Sequence, residues 1–247
     1  MNAFLYALQF LTRLPITVQL SVDKEIERRS FYWHGCVGIV LGACLMLTHS
    51  LTQWLFGAAP ILNAGIVLFL WVMLTGALHL DGLGDSVDAW LGGYGDKEKT
   101  LAIMKDPTSG PAAIVWIVVV LLLKFAALTL LLAHQPMALL FAPLLGRMAS
   151  MVLFVTTPYA RTKGLGSAFK DGLEAQWVWY QTGLCCITLF ILFKTSGLIT
   201  IASCLAIGYY LRSLMLQRIE GTTGDTAGAL IECVETVALL GFCIHLI

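Results

Sequence analysis

Charge is scarce in this sequence. Fifteen lysines and arginines and fifteen acidic residues make only 12% of its 247 residues charged, about half the roughly 25% share of a soluble domain. The formal net charge is zero and no basic tail exists, which argues against nucleic-acid binding. Seven cysteines fall in apolar stretches with no C-x-x-C spacing, and five histidines are scattered. Zinc sites and a disulfide framework are therefore not expected. The N-terminal "MNAFLYALQFLTRLPI" lacks a positive n-region and a small-residue cleavage site. It reads as an amphipathic interfacial helix with Arg13 at the headgroups, not as a removable signal.

Hydrophobic residues make up 58% of the chain, and the mean hydropathy is +0.83. Apolar stretches recur, each long enough to cross a hydrocarbon core of about 30 Å as a helix. Seven are expected, over residues 33–56, 60–79, 111–133, 137–157, 177–193, 198–216 and 227–246. The fold class is thus all-α, a polytopic transmembrane helix bundle forming one integral-membrane domain over 1–247. Most basic residues, from Arg13 and Arg28 through Lys97 and Lys105 to Arg161, Lys163 and Arg218, fall on the side of the N-terminal segment. Positive loops face the cytoplasm, so the N-terminus is expected there, with residues 1–30 cytoplasmic or interfacial. Connections on the far side, such as "GAA" and "HQP", are too short to carry chemistry. Function should sit in the cytoplasmic loops, above all residues 81–110.

Three constellations stand out. "HLDGLGDSVDAW" (79–90) carries Asp81, Asp85 and Asp88, which fall within about 60° of one another on a helix. Like charges on one face repel, and oxygen donors without nitrogen or sulfur suit a hard divalent ion. "GTTGDTAGALIECVE" (221–235) places Asp225, Glu232 and Glu235 on one sector of the last span, where uncompensated carboxylates are costly and functional by default. The third constellation is basic. Lys105 and Asp106 in "IMKDPTSGP", and Arg161 and Lys163 in "PYARTKGLGSAF", stand beside glycine-rich turns that suit phosphate. Arg147 lies inside the fourth span and needs a carboxylate partner. Hard-metal ligands, cationic groups and intramembrane acids opening to one side suit metal-assisted phosphoryl transfer.

The chain also resembles the cobalamin synthase family, the adenosylcobinamide-GDP ribazoletransferases. The matching pieces are "FLTRLPI", "GALHLDGLGDSVDAW", "IMKDPTSGPAA", "PYARTKGLGSAF" and "TGDTAGALIECVE", in that order. The resemblance implies a bacterial inner-membrane enzyme that joins adenosylcobinamide-GDP to α-ribazole or its 5′-phosphate and releases GMP with Mg²⁺. Asp81, Asp85 and Asp88 match the family's aspartate motif and would hold Mg²⁺, with Asp225 and Glu232 as further candidates. Lys105, Arg147, Arg161 and Lys163 would bind phosphate. Neither route fixes the general base, for which Asp106 and Glu232 are candidates. The lipid bilayer and other enzymes of the pathway are the expected partners. One departure is Gly76-Ala77 where the family commonly has a Gly-Gly pair.

Two other readings fit less well. A CDP-alcohol phosphotransferase would show D-x-x-D-G-x-x-A-R, which Asp81-Gly82-Leu83-Gly84-Asp85 does not continue. An ion-coupled transporter would show inverted repeats and paired broken helices, and neither is found.

Overall fold

The computed structural model describes residues 2–19, 23–161, 173–244 and 246. It is helical throughout. α1 (Asn2–Leu11), α2 (Lys24–Ser30) and a 3₁₀ turn (Phe31–Trp33) lead into α3 (His34–Phe56), α4 (Pro60–Thr75), α5 (Leu78–Gly92) and α6 (Lys97–Ile103). They are followed by α7 (Pro111–His134), α8 (Ala138–Thr156), α9 (Ala175–Ile219) and α10 (Gly224–Cys243).

α10 is the centre of the bundle, buried along nearly its whole length from Thr226 to Cys243 and flanked by α5, α7, α8 and α9. Its first turn is closed by a reciprocal cap between Thr223 and Thr226, which satisfies donors that helix geometry leaves unpaired. α7 and α9 instead turn broad apolar faces outward, with Val115, Val118 and Leu122 on one and Leu184, Ile187 and Ile191 on the other. Such faces suit lipid.

Five helical segments are long and apolar enough to cross a membrane, or six if the bent pair α4 and α5 counts as one. Two breaks explain the difference from seven. The first shortens the expected span 60–79. α4 stops at Thr75 because Gly76 and Ala77 both adopt left-handed backbone, with φ of 60° and 56°, and α5 leaves at 83° to it. The second lies in α9, counted once but not straight. Lys194 has non-helical φ and ψ of 49° and −118°. A Cβ on Gly197 would meet the Leu189 carbonyl at 2.5 Å, so the chain folds back there into two antiparallel arms. They match the fifth and sixth expected spans.

α5 packs across the N-terminal turns of α7 and α10. Leu80 and Leu83 bury against Val120 and Ala229, and Gly82 lies on the backbone of Asp225, where a Cβ would come within 2.7 Å of the carbonyl. Small residues let helices approach this closely. α1 closes the same end: Ala7, Leu8 and Leu11 bury against Val37 and Leu41 of α3. The Arg13 amide donates to the Leu74 carbonyl at 2.6 Å, and its side chain covers Gly76. Arg13 therefore lies over the α4–α5 break while remaining exposed.

Candidate active site

Beneath α1 lies a cavity of about 290 Å³ whose lining includes His79, Asp81, Ser150, Tyr159, Arg161 and Asp225. Distant parts of the chain meet there for local reasons. The α4–α5 turn delivers His79 and Asp81 on the first turn of α5, and the cap at Thr223 starts α10 so that Asp225 falls in its first turn. Arg161 is placed by a short parallel bridge between Tyr159 and Thr222. In it the Ala160 amide donates to the Thr222 carbonyl and the Thr222 amide to the Pro158 carbonyl, each at 2.8 Å. The Arg161 Nη1 then stands 2.8 Å from Asp225 Oδ2. Its Nε and Nη2 are buried and have no hydrogen-bond partner among the described residues.

The three aspartates of α5 divide their work. Asp81 is exposed at the cavity, and its carboxylate accepts no hydrogen bond among the described residues. Asp88 is committed elsewhere: its carboxylate accepts from the Gly110 amide at 2.5 Å and the Ala113 amide at 3.1 Å. It thereby caps α7, which starts at Pro111 and cannot cap itself with Gly110. Asp85 lies between. Burial pushes its carboxyl up to about 6, helped by the charges of Asp81 and Asp225 and opposed by Arg161. Asp81, Asp85 and Asp225 thus share one field of negative charge.

The donor set of Asp81, Asp85 and Asp225 is oxygen only, as a hard cation needs. Among the described residues, no three carboxylate, histidine or cysteine side chains already converge closely enough to hold an ion. Mg²⁺ commonly uses one or two carboxylates, with substrate phosphates and water completing its shell, so it does not require an all-protein cage.

Deeper in the bundle the acidic stripe of α10 serves another purpose. Glu232 and Glu235 lie about 10 to 15 Å below Asp225 along the helix and are buried. Lys124 Nζ donates to Glu232 at 2.7 Å and to Glu235 at 2.5 Å, and stands 4.7 Å from the centre of the Trp71 ring. Arg147, wholly buried, pairs with the other oxygen of Glu235. Two cations and two carboxylates therefore balance, as burial in an apolar bundle requires. Arg147 has the carboxylate partner its position called for. Neither it nor Glu232 lines the cavity.

Lys105 and Asp106 are exposed and also lie outside the cavity lining. Hydrogen bonds from the Thr108 hydroxyl and amide hold the Asp106 carboxyl below the usual carboxylate range, so it serves its own turn. Lys163 lies outside the described residues. Three residues at the centre of this arrangement, His79, Lys124 and Tyr159, carried no assigned role in the sequence. Lys124 had the same signal as Arg147, a cation within an apolar span.

The chain matches the family described as cobalamin-5-phosphate synthase over residues 3–243. It is 48% identical to the adenosylcobinamide-GDP ribazoletransferase of Stutzerimonas stutzeri (strain A1501) over 246 residues, 99% of each chain. It is 49% identical to the protein of that name from Ectopseudomonas mendocina (strain ymp) over 243 residues, 97% of this chain and 98% of the relative. The corresponding protein of Pseudomonas paraeruginosa (strain DSM 24068 / PA7) is 48% identical over 241 residues, 97% of each. No solved structure matches. A match along almost the whole length, shared with relatives nearly half identical, means that this chain belongs to the cobalamin-5-phosphate synthase family.

Proposed function

We propose that this chain is a multi-pass membrane transferase that joins adenosylcobinamide-GDP to α-ribazole or its 5′-phosphate and releases GMP, using Mg²⁺. The observation that carries the reading is the meeting of Asp81, Asp225 and Arg161 at one cavity, in a chain whose relatives bear that enzyme's name.

In this reading a ribose hydroxyl of the ribazole attacks the phosphorus on the cobinamide side of the diphosphate. A new P–O bond forms, the bridging P–O bond to the guanylate breaks, and GMP leaves with the electron pair. The hydroxyl proton goes to water or to a carboxylate at the cavity mouth. Arg161 holds a phosphoryl oxygen through its two unpaired donors, Nε and Nη2, in charge-assisted hydrogen bonds. Asp81, Asp85 and Asp225 would hold Mg²⁺, which when bound neutralises phosphate charge. Asp225 also orients Arg161 through their ion pair.

The charge distribution supports the location. Arg28, Lys97, Lys105, Arg161 and Arg218 gather at the end of the bundle that carries the cavity, which supports an inner membrane with the site facing the cytoplasm.

The test uses the protein purified in detergent, supplied with adenosylcobinamide-GDP, α-ribazole and Mg²⁺. GMP should appear together with the joined corrinoid, stop with EDTA and return with excess Mg²⁺. Absence of GMP with all components present would sink the reading, and an EDTA-resistant rate would sink the metal.

A further inference from the structure

We propose that His79 donates a hydrogen bond from its Nε2–H to a phosphoryl oxygen of the diphosphate in the cavity, in a tautomer fixed by Arg147. The inference rests on the phosphoryl-transfer reading above and adds a residue to it.

His79 is only 3% exposed yet lines the cavity, because the left-handed pair Gly76-Ala77 starts α5 immediately before it and its backbone lies against Gly228 of α10. Its Nδ1 is 3.4 Å from Arg147 Nη2. A guanidinium offers only donors, so Nδ1 must accept, and an imidazole that accepts at one nitrogen carries its hydrogen on the other. Arg147 is not free to turn away. Glu235 holds it from the far side and is itself held by Lys124.

The direction of Nε2 follows. The two ring nitrogens point to opposite sides of the imidazole, and Nδ1 is turned toward Arg147, which is not part of the cavity wall. Nε2 is therefore turned away from Arg147, on a residue that lines the cavity. It is buried and has no hydrogen-bond partner among the described residues. Buried donors are nearly always paired, and one left open beside a cavity is a position where a ligand supplies the acceptor. The charged groups around the ring are Arg147 on α8 and Lys124 on α7, with His34 on α3 near by. Glu235 and Glu232 on α10 are occupied by those cations, and Asp81 lies two residues along α5. The chemistry left open is that of an anionic oxygen acceptor, as Arg161 in the same wall also requires.

Two variants and one spectrum test this. GMP release should fall about 10²-fold in kcat for His79→Ala, the scale of losing one preorganised donor to a developing charge, with KM for α-ribazole within about twofold. His79→Gln, whose amide N–H reaches close to the Nε2 position, should recover at least half of that loss on a logarithmic scale. An Ala variant within threefold of the natural rate, or a Gln variant no better than Ala, overturns the proposal. In case either variant misfolds, the natural protein labelled with ¹⁵N-histidine is titrated with inorganic pyrophosphate and Mg²⁺. The His79 signal should report hydrogen on Nε2 before addition and shift as pyrophosphate binds. Hydrogen on Nδ1, or no shift, overturns it. If the natural protein releases no GMP, the substrate reading fails while the pyrophosphate titration still decides the role of His79.

Discussion

Asp81 and Asp88 occupy the same face of α5, yet replacing them should have opposite signatures. The Asp81 carboxylate makes no hydrogen bond among the described residues and faces the cavity. Asp81→Asn should therefore leave thermal unfolding in detergent unchanged and lower GMP release about 10³-fold, the several kcal/mol that a metal-held charge clamp supplies. Asp88→Ala removes the acceptor for two amides at the start of α7. It should cost about 0.5–2 kcal/mol of stability, as lost helix caps do, read as a lower unfolding midpoint. Equal destabilisation by both variants would contradict this division. The spacing i, i+4, i+7 shows that three carboxylates share a face. It does not show that a helix beginning 23 positions later will take one of them for its cap, because that contact is set by tertiary packing.

The elements carry the same lesson in backbone terms. The Gly76-Ala77 pair falls where the chain leaves α4 for α5, and both positions are left-handed. Glycine adopts that conformation without strain, whereas a residue with a Cβ pays roughly 1–2 kcal/mol. Ala77→Gly should therefore keep activity and raise stability by about 1 kcal/mol, visible as a higher unfolding midpoint. A lower midpoint would show that Ala77 contributes more through packing than it loses through its backbone. The turn itself was hidden in the sequence: residues 60–79 are apolar apart from Asn63, Thr75 and His79, and a hydropathy pattern has no sign for a pair of left-handed residues. The stripe on α10 was legible as a face but not as a depth. Asp225, Glu232 and Glu235 share a sector, and the rise of 1.5 Å per residue puts the first at the cavity and the others beside Lys124 and Arg147. Reading Arg147 as needing a carboxylate succeeded because an unpaired charge in a bundle interior is excluded on energetic grounds alone.

At the scale of the whole molecule, the number of crossings fixes where the C-terminus emerges, and α9 decides that number. A straight helix of its 45 residues would be about 68 Å long, more than twice the roughly 30 Å hydrocarbon core. The fold-back at Lys194 makes it two arms. α4 crosses while α5 stays at the end it reached, packed on the first turns of α7 and α10. Length and composition alone give five crossings, or six with α4 and α5 taken as one; with α9 counted as two arms the set becomes α3, α4, α7, α8, the two arms of α9 and α10, an odd number that would put the termini on opposite sides. Counted once, α9 would put them on the same side. Alkaline phosphatase, active only outside the cytoplasm, should therefore be active when fused after Ile247 and inactive when fused at Gly95, between α5 and α6. A green fluorescent protein at the same two positions should give the reverse pattern. Phosphatase activity at Gly95 would place the cavity, and with it Asp81, Asp225 and Arg161, on the side away from the cytoplasmic nucleotide pool, which the transferase reading could not survive. Activity at neither position would instead mean an even number of crossings and a straight passage through Lys194.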